Sequence, residues 1–193
     1  SGFKKTQGAS TITQQLLKNN VFDFMSEDTM LDKIERKLQE QYLAVKLEDI
    51  MSKDEILESY LNTINLGQNT LGVQAAANRY FGKSVSELDI SEAAVLAAIT
   101  KSPTEYNPIK HPDKNKERRA LVLQNMLDQG CISQSQYESA LADDVYARIS
   151  SDRLEIYADV TGNRGRIRVN ERGTFVNKNL IITKIVDRIS KSM

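Results

Sequence analysis

The chain has 193 residues, and 26 Lys and Arg balance 26 Asp and Glu, so its formal net charge is zero. The length allows one domain with a substantial core, or one domain plus a tail. Neutrality argues against general polyanion binding, and we expect no nucleic-acid partner. The single cysteine, Cys131, and the single histidine, His111, leave a disulfide framework, a Cys/His zinc site and a Cys–His nucleophile unsupported. No apolar run approaches a membrane span, and a start at Ser1 suggests a fragment or a processed product.

Helical periodicity runs through the first three-quarters of the chain. Thr11–Gln14 forms a capping-box pattern for a helix that closes at Asn19–Asn20, and an apolar stretch at 21–25 follows as a candidate hydrophobic lip. A long helix capped by Ser26, Asp28 or Thr29 comes next, and then one that runs from Ser52–Glu55 until Gly67. Further helical segments or caps are predicted at 73–80, 84–87, 91–101, 112–128 and 133–141.

The pattern changes after about Asp143. Segments 153–160, 166–170 and 174–177 alternate like strands, and 179–190 could form a final helix. We therefore predict an all-α domain of about eight helices over 1–145. Residues 146–193 are predicted to form a short irregular or β-containing tail, which is a linker or the start of a second domain.

The long helix has a charged face. An apolar stripe with helical spacing is formed by Leu31, Ile34, Leu38, Tyr42 and Val45. Arg36, Lys37 and Glu40 fall on the other side, which continues into the apolar residues Leu43, Ala44 and Leu47. A carboxylate held between two cations at the border of a buried region could belong to an active site. Spacing alone favours a simpler alternative, an ordinary i,i+4 ion pair on a long helix.

The stretch Ser10–Asn19 crowds hydroxyls, amides and Lys18 into the first turns of a helix. Such groups beside a helix N-terminus would suit a sugar and a phosphate, and a capped surface helix is an equally good interpretation. Gly82–Ser84 lacks the earlier glycine and the preceding strand of a P-loop. Arg118 and Arg119 lie on a charged helix and are predicted to be solvated.

Taken in order, several stretches resemble the peptidoglycan glycosyltransferase domain (glycosyltransferase family 51) of class A penicillin-binding proteins and monofunctional transglycosylases. Gly8–Asn19 matches G-x-S-T-[IL]-x-Q-Q-x-x-K-N, and Arg36–Glu40 matches R-K-x-x-E. Ile56–Asn62 with Gly67 matches I-L-E-x-Y-L-N-x-x-x-x-G. A fifth region also fits, at Ala75–Ala76, Tyr80–Lys83, Glu92–Ala94 and Asn107–Pro108.

The resemblance implies an α-helical, lysozyme-like fold and the joining of lipid II units to a growing glycan strand. In that reaction a 4-hydroxyl attacks C1 of the growing chain, and undecaprenyl pyrophosphate leaves with inversion. The family's base is a glutamate in a first motif, E-D-x-x-F-x-x-H-x-G, which no part of this chain matches. The chain alone is therefore expected to be inactive.

The resemblance also assigns roles. Glu40 matches a second essential glutamate, which assists the leaving pyrophosphate directly, through the cations, or through a divalent metal (Mg²⁺ or Mn²⁺); otherwise no cofactor is implied. Substrate-binding positions are matched by Ser10, Thr11, Gln15, Lys18, Asn19, Arg36, Lys37 and Lys101. The lip at 21–25 would face the membrane, beside a missing N-terminal anchor, on the extracytoplasmic side. A transpeptidase could follow the tail.

Two other classes of protein are compatible with part of the pattern. A lysozyme-like lytic hydrolase or lytic transglycosylase also uses a glutamate, but its leaving group is a sugar, so it would not need the cations Lys18, Arg36 and Lys37. A non-catalytic helical interaction module would use the polar helix starts only as caps, and would tolerate Glu40→Gln.

Overall fold

The computed structural model describes residues 10–22 and 29–149, and this part of the chain is helical, as predicted. It contains seven α-helices: α1 (Ile12–Asn20), α2 (Met30–Ile50), α3 (Lys53–Thr63), α4 (Val73–Phe81), α5 (Ile90–Ile99), α6 (Pro112–Asp128) and α7 (Gln134–Ala142). Two short 3₁₀ helices, Val85–Glu87 and Val145–Arg148, complete it. The predicted tail strands, the last helix and residues 23–25 of the lip lie outside the described residues, and the domain boundary near 145 stays a prediction.

Capping side chains fix where most of the helices begin. The side-chain oxygens of Thr11 and Thr29 accept hydrogen bonds from the backbone amides of Gln14 and Asp32. In return, the side chains of Gln14 and Asp32 accept hydrogen bonds from the backbone amides of Thr11 and Thr29. The same reciprocal pattern occurs at Ser52 with Glu55 and at Ser133 with Gln136. The capping prediction at 84–87 marks only the first 3₁₀ helix, because α5 has its own cap further along, at Asp89.

The described residues fall into two compact units, divided between Thr63 and Ile64. In the first unit, α1 packs against both α2 and α3. Leu16 and Leu17 of α1 and Leu47 of α2 are fully buried in this small core. Phe22, at the start of the candidate lip, is only 7% exposed, so it packs into the protein.

The orientation of α2 is the main departure from a simple amphipathic helix. The stripe from Leu31 to Val45 faces solvent; Leu31 is 76% exposed and Leu38 is 61% exposed. The side that carries Glu40, Ala44 and Leu47 is buried instead. Helix α2 thus has two faces with apolar residues, and the face that carries Ala44 and Leu47 is the one that is buried.

The second unit is organised around α5, which packs against α4, α6 and α7. Its alanine-rich sequence lets neighbouring backbones approach closely, and Val95, Ala98 and Ile99 are fully buried. A satellite cluster is formed by Ala94, Leu123, Ile132 and Ala140.

A turn, and not a helix, occupies residues 64–72. The predicted helix ends at Thr63, because the Leu66 amide bonds the Thr70 carbonyl at 3.0 Å and the Gly72 amide bonds the Ile64 carbonyl at 2.7 Å. Gly67 has a φ of +77°, and a Cβ there would lie 3.2 Å from the Pro103 carbonyl oxygen. Only glycine meets both conditions without strain.

Arg119 is buried, at 2% exposure, which overturns the prediction that it is solvated. Its Nη2 donates to Ser91 Oγ at 3.0 Å and to the carbonyl of Ala140 at the end of α7. The Tyr146 ring centroid lies 5.7 Å from its guanidinium carbon. Cys131, which lies between α6 and α7, is exposed.

Candidate active site around Glu40

The carboxylate of Glu40 is buried between two cations. Its side chain is 1% exposed, Arg36 Nη1 donates to Oε1, and Lys37 Nζ lies 3.0 Å from Oε2. A buried carboxylate is costly unless it is paired and hydrogen-bonded, and both oxygens of Glu40 meet that condition. The arrangement is therefore not the ordinary surface ion pair that spacing alone favours.

Lys37 connects this carboxylate to the start of α1. Its ammonium donates to Ser10 Oγ at 2.8 Å while it contacts Glu40. An ammonium has three donors, so Lys37 can hold both partners and still face solvent with the exposed 39% of its side chain. The contact brings together two motif stretches that are 27 residues apart in sequence.

Some of the polar side chains at the start of α1 already make hydrogen bonds within the protein. The Thr11 hydroxyl is used in the capping box. Gln15 Nε2 donates to the Ser10 carbonyl at 3.3 Å, and Gln15 Oε1 accepts from Tyr60 Oη at 3.4 Å. Gln15 therefore ties Ser10 to α3. The substrate contacts predicted for Ser10, Thr11 and Gln15 stay predictions.

Lys18 and Asn19 lie later on α1. Lys18 is exposed, and among the described residues its ammonium has no ion-pair partner. Asn19 is half-buried. An exposed ammonium in the same small unit as Glu40 can contact an anionic ligand, and both residues remain predicted substrate contacts.

Lys101 belongs to the second unit. It follows α5 directly and its side chain is exposed. The contacts described above for Glu40, Lys37 and Gln15 do not involve Lys101, so its predicted binding role stays a prediction.

Sequence patterns did not predict three polar contacts of this unit, one of which is the contact of Tyr60 with Gln15 described above. Thr13 Oγ1 donates to Glu48 Oε1 at 2.5 Å and joins α1 to α2, and buried Asn20 Nδ2 donates to Thr63 Oγ1 at 3.2 Å. Burial raises the pKa of Tyr60, the partner of Gln15. Tyr60 shares the helical spacing of apolar residues, so the sequence pattern identifies its burial and not its hydrogen bond.

A divalent ion near Glu40 would have few protein ligands. Within residues 10–22 and 29–149, no group of three or more His, Cys, Asp or Glu side chains could hold a metal. Both Glu40 oxygens already accept from cations. Because Mg²⁺ is commonly bound by one or two carboxylates plus substrate phosphates, most ligands would have to come from a substrate. The metal stays a prediction.

These features define a class: a helical protein with a buried glutamate held by two cations beside a polar helix start. A family model described as Transglycosylase matches residues 1–127. The chain is 46% identical over 154 residues to penicillin-binding protein 1A of Haemophilus influenzae, covering 80% of this chain and 17% of that protein. It is 50% identical over 135 residues to penicillin-binding protein 1A of Aquifex aeolicus, covering 70% of this chain and 18% of that protein.

A crystal structure of penicillin-binding protein 1A from Haemophilus influenzae matches with a TM-score of 0.50 and 41% identity, over 60% of this chain and 17% of that chain. The chain thus belongs to the transglycosylase family, which confirms its resemblance to glycosyltransferase family 51 and indicates a glycosyltransferase. It spans less than a fifth of the length of the two curated relatives described above.

Proposed function

We propose that the chain is part of a peptidoglycan glycosyltransferase that polymerises lipid II into glycan strands. The reaction is an inverting β-1,4 transfer that releases undecaprenyl pyrophosphate. The observation that supports it most directly is the contact of Lys37 with both Ser10 and Glu40, which joins two motifs of the family in one site. The family match over residues 1–127 supports glycosyl transfer as the reaction.

In this proposal Glu40 acts on the leaving group and is not the base. Its two oxygens fix Arg36 and Lys37 in position, so their positive charge is held where a pyrophosphate develops negative charge. Lys18 adds a third cation, which is exposed. The polar groups of Ser10, Thr11, Gln15 and Asn19 contact the sugars. A general base is still needed to take the proton of the attacking 4-hydroxyl, and no residue of this chain matches the family's base.

The proposed reaction takes place at a membrane. The lipid of the proposed substrate brings the enzyme to the cell membrane, and we assign it to the extracytoplasmic face, with an N-terminal anchor and with the 21–25 segment, apart from buried Phe22, as its lip. Within the described residues, every helix is too short or too polar to cross a membrane. A C-terminal transpeptidase domain is the further partner, and Mg²⁺ or Mn²⁺ at the pyrophosphate is the one cofactor considered.

The test is lipid II polymerisation by a protein that carries the first motif together with these residues. Glu40→Gln keeps the size of the side chain and removes its charge, and it should abolish polymer formation while helical circular dichroism is unchanged. Glu35→Gln is the matched control, because Glu35 is an exposed carboxylate on the same helix. Normal turnover by Glu40→Gln would overturn the assignment. Polymer formation by the present chain alone would show that its base is contained within it.

A second measurement separates this activity from the lytic alternative. The three cations should bind inorganic pyrophosphate, whereas a lytic enzyme expels a sugar and has no such requirement. Isothermal titration with pyrophosphate should therefore detect binding that Lys18→Gln weakens. Equal binding by the two proteins would remove Lys18 from the site.

A further inference from the structure

A cavity of about 360 Å³ lies within the second unit, between the 64–72 turn and the segment from Pro103 to Lys110. Polar groups dominate its lining, which includes Asn65, Thr104 and Asn107. The residues that line it include one cation, Lys110, and no carboxylate. A site with this balance of charge favours an anionic ligand.

Asn107 offers this cavity a fixed donor. It is 4% exposed, and its Oδ1 accepts from the amides of Ile109 and Lys110 at 3.0 Å each. These two bonds set the orientation of the carboxamide. Among the described residues no hydrogen-bond partner is found for Nδ2, and this atom is not one of the buried side-chain atoms that lack a partner, so it is open to the cavity. A ligand acceptor would satisfy it.

Gly67 keeps the space beside that donor open. A Cβ at residue 67 would lie 3.3 Å from Asn107 Nδ2, so any larger residue would crowd it. The neighbouring Asn65 uses its Oδ1 to accept from the Gly67 amide at 2.9 Å, which leaves its own amide nitrogen as a second donor. The wall thus presents donors to the cavity, with Lys110 as the single charge.

We propose that this cavity binds a carboxylate of the peptide carried by the glycan substrate. A carboxylate is acceptor-only, so it matches the amide donors of Asn107 and Asn65, and its one negative charge matches the one ammonium of Lys110. A phosphate, with more charge, would be better served by several cations. The choice of a peptide on a glycan rests on the proposed function; the donor geometry does not.

Chemical-shift titration of the full chain by NMR tests the site. The ligand is N-acetylmuramyl-L-alanyl-D-isoglutamine, which has one free carboxylate, and the matched ligand is its uncharged carboxamide. The acid should shift the Asn107 side-chain amide and the Gly67 backbone amide, and the carboxamide should bind more weakly. Equal binding of the two ligands, tighter binding of inorganic phosphate, or shifts that avoid these two amides would each overturn the proposal.

Lys110→Gln should weaken the acid about fivefold, the value expected for loss of one partly solvated ion pair. Lys110 is exposed, so this variant should fold normally. Lys114→Gln is the control, because Lys114 lies outside the cavity and pairs at the surface with Glu105 at 3.5 Å. Equal weakening by both variants would show general charge attraction and no site.

The titration involves no turnover, so its failure is distinct from failure of the proposed function. Absent binding with intact lipid II polymerisation would overturn this inference alone. Intact binding without polymerisation would overturn the proposed function and leave the carboxylate site in place.

Discussion

The two cations around Glu40 should contribute unequally to stability, although both contact the same buried carboxylate. Arg36 is 14% exposed and Lys37 is 39% exposed. Removing the less exposed cation leaves a buried charge that water screens poorly. Removing the more exposed one leaves Glu40 with its guanidinium partner and opens access to water. Arg36→Gln and Lys37→Gln separate these two effects.

The expected losses of unfolding free energy follow from how far each cation is buried. Breaking a fully buried pair typically costs about 3–5 kcal/mol, so Arg36→Gln, with Lys37 still present, should cost about 2–3 kcal/mol. Lys37→Gln should cost about 1 kcal/mol or less, because solvent screens a cation more than a third exposed. With a urea m-value of about 2 kcal/mol/M, the midpoint should fall by about 1–1.5 M for Arg36→Gln and by about 0.5 M or less for Lys37→Gln.

Urea unfolding followed by circular dichroism measures both midpoints, and amide hydrogen exchange along α2 shows that the loss is local. Lys33→Gln is the control, since Lys33 is an exposed cation on the same helix and should change stability by less than about 0.5 kcal/mol. A larger loss for Lys37→Gln than for Arg36→Gln would refute the reasoning. So would three equal midpoints, which would mean that Glu40 is solvated.

Three further predictions concern the second unit. Arg119→Met should lower the free energy of unfolding by about 2–4 kcal/mol in urea, because buried carbonyls at the end of α7 lose their charged donor; a loss below about 0.5 kcal/mol would contradict this. Burial raises the pKa of Tyr146 from 10.0 to about 12, so its contribution to stability is complete below 10.0 and is lost as pH rises through about 12. Tyr146→Phe should remove that alkaline loss of stability, and the pH dependence of the urea midpoint reports it. The guanidinium of Arg148, 2.6 Å from Asp143 Oδ2, lowers the pKa of that carboxyl, so the stability it gives is present above the ordinary aspartate pKa and is lost as pH falls through the lowered value. Arg148→Gln should raise the Asp143 pKa in an NMR titration, and an unchanged value would count against the contact.

Local signals in the sequence predicted helix starts well. A hydroxyl or carboxylate followed three residues later by an acceptor side chain specifies its own hydrogen bonds, so Thr11 and Ser133 begin helices as expected. The same reasoning left three candidate caps before α2, and Thr29 is the one used. The end of α3 was harder to predict, because the turn that stops the helix depends on Thr70 and Gly72, which lie beyond it.

Burial was harder to predict wherever a distant element decides it. α2 carries two apolar faces, and the periodicity of one helix cannot show which face α1 will cover. Arg119 is similar: its acceptors are Ser91 on α5, 28 residues earlier, and Ala140 on α7, 21 residues later, and the sequence of its own helix is typical of a solvated one. The contact between Lys37 and Ser10 has no signal in either stretch taken alone. Only the resemblance placed both residues in one site.

The orientation of α2 gives an argument for function that does not depend on resemblance. A helix selected for stability alone would bury its apolar stripe and leave its charges in water. Here Leu31 and Leu38 stay exposed while Glu40 is buried, although a buried ion pair is often no more stabilising than apolar packing. Local rules are broken most often at functional sites. The departure falls on the buried carboxylate that Lys37 connects to Ser10, just before α1. The burial of a charged group on α2 therefore marks Glu40 as a candidate functional residue on physical grounds, apart from the resemblance.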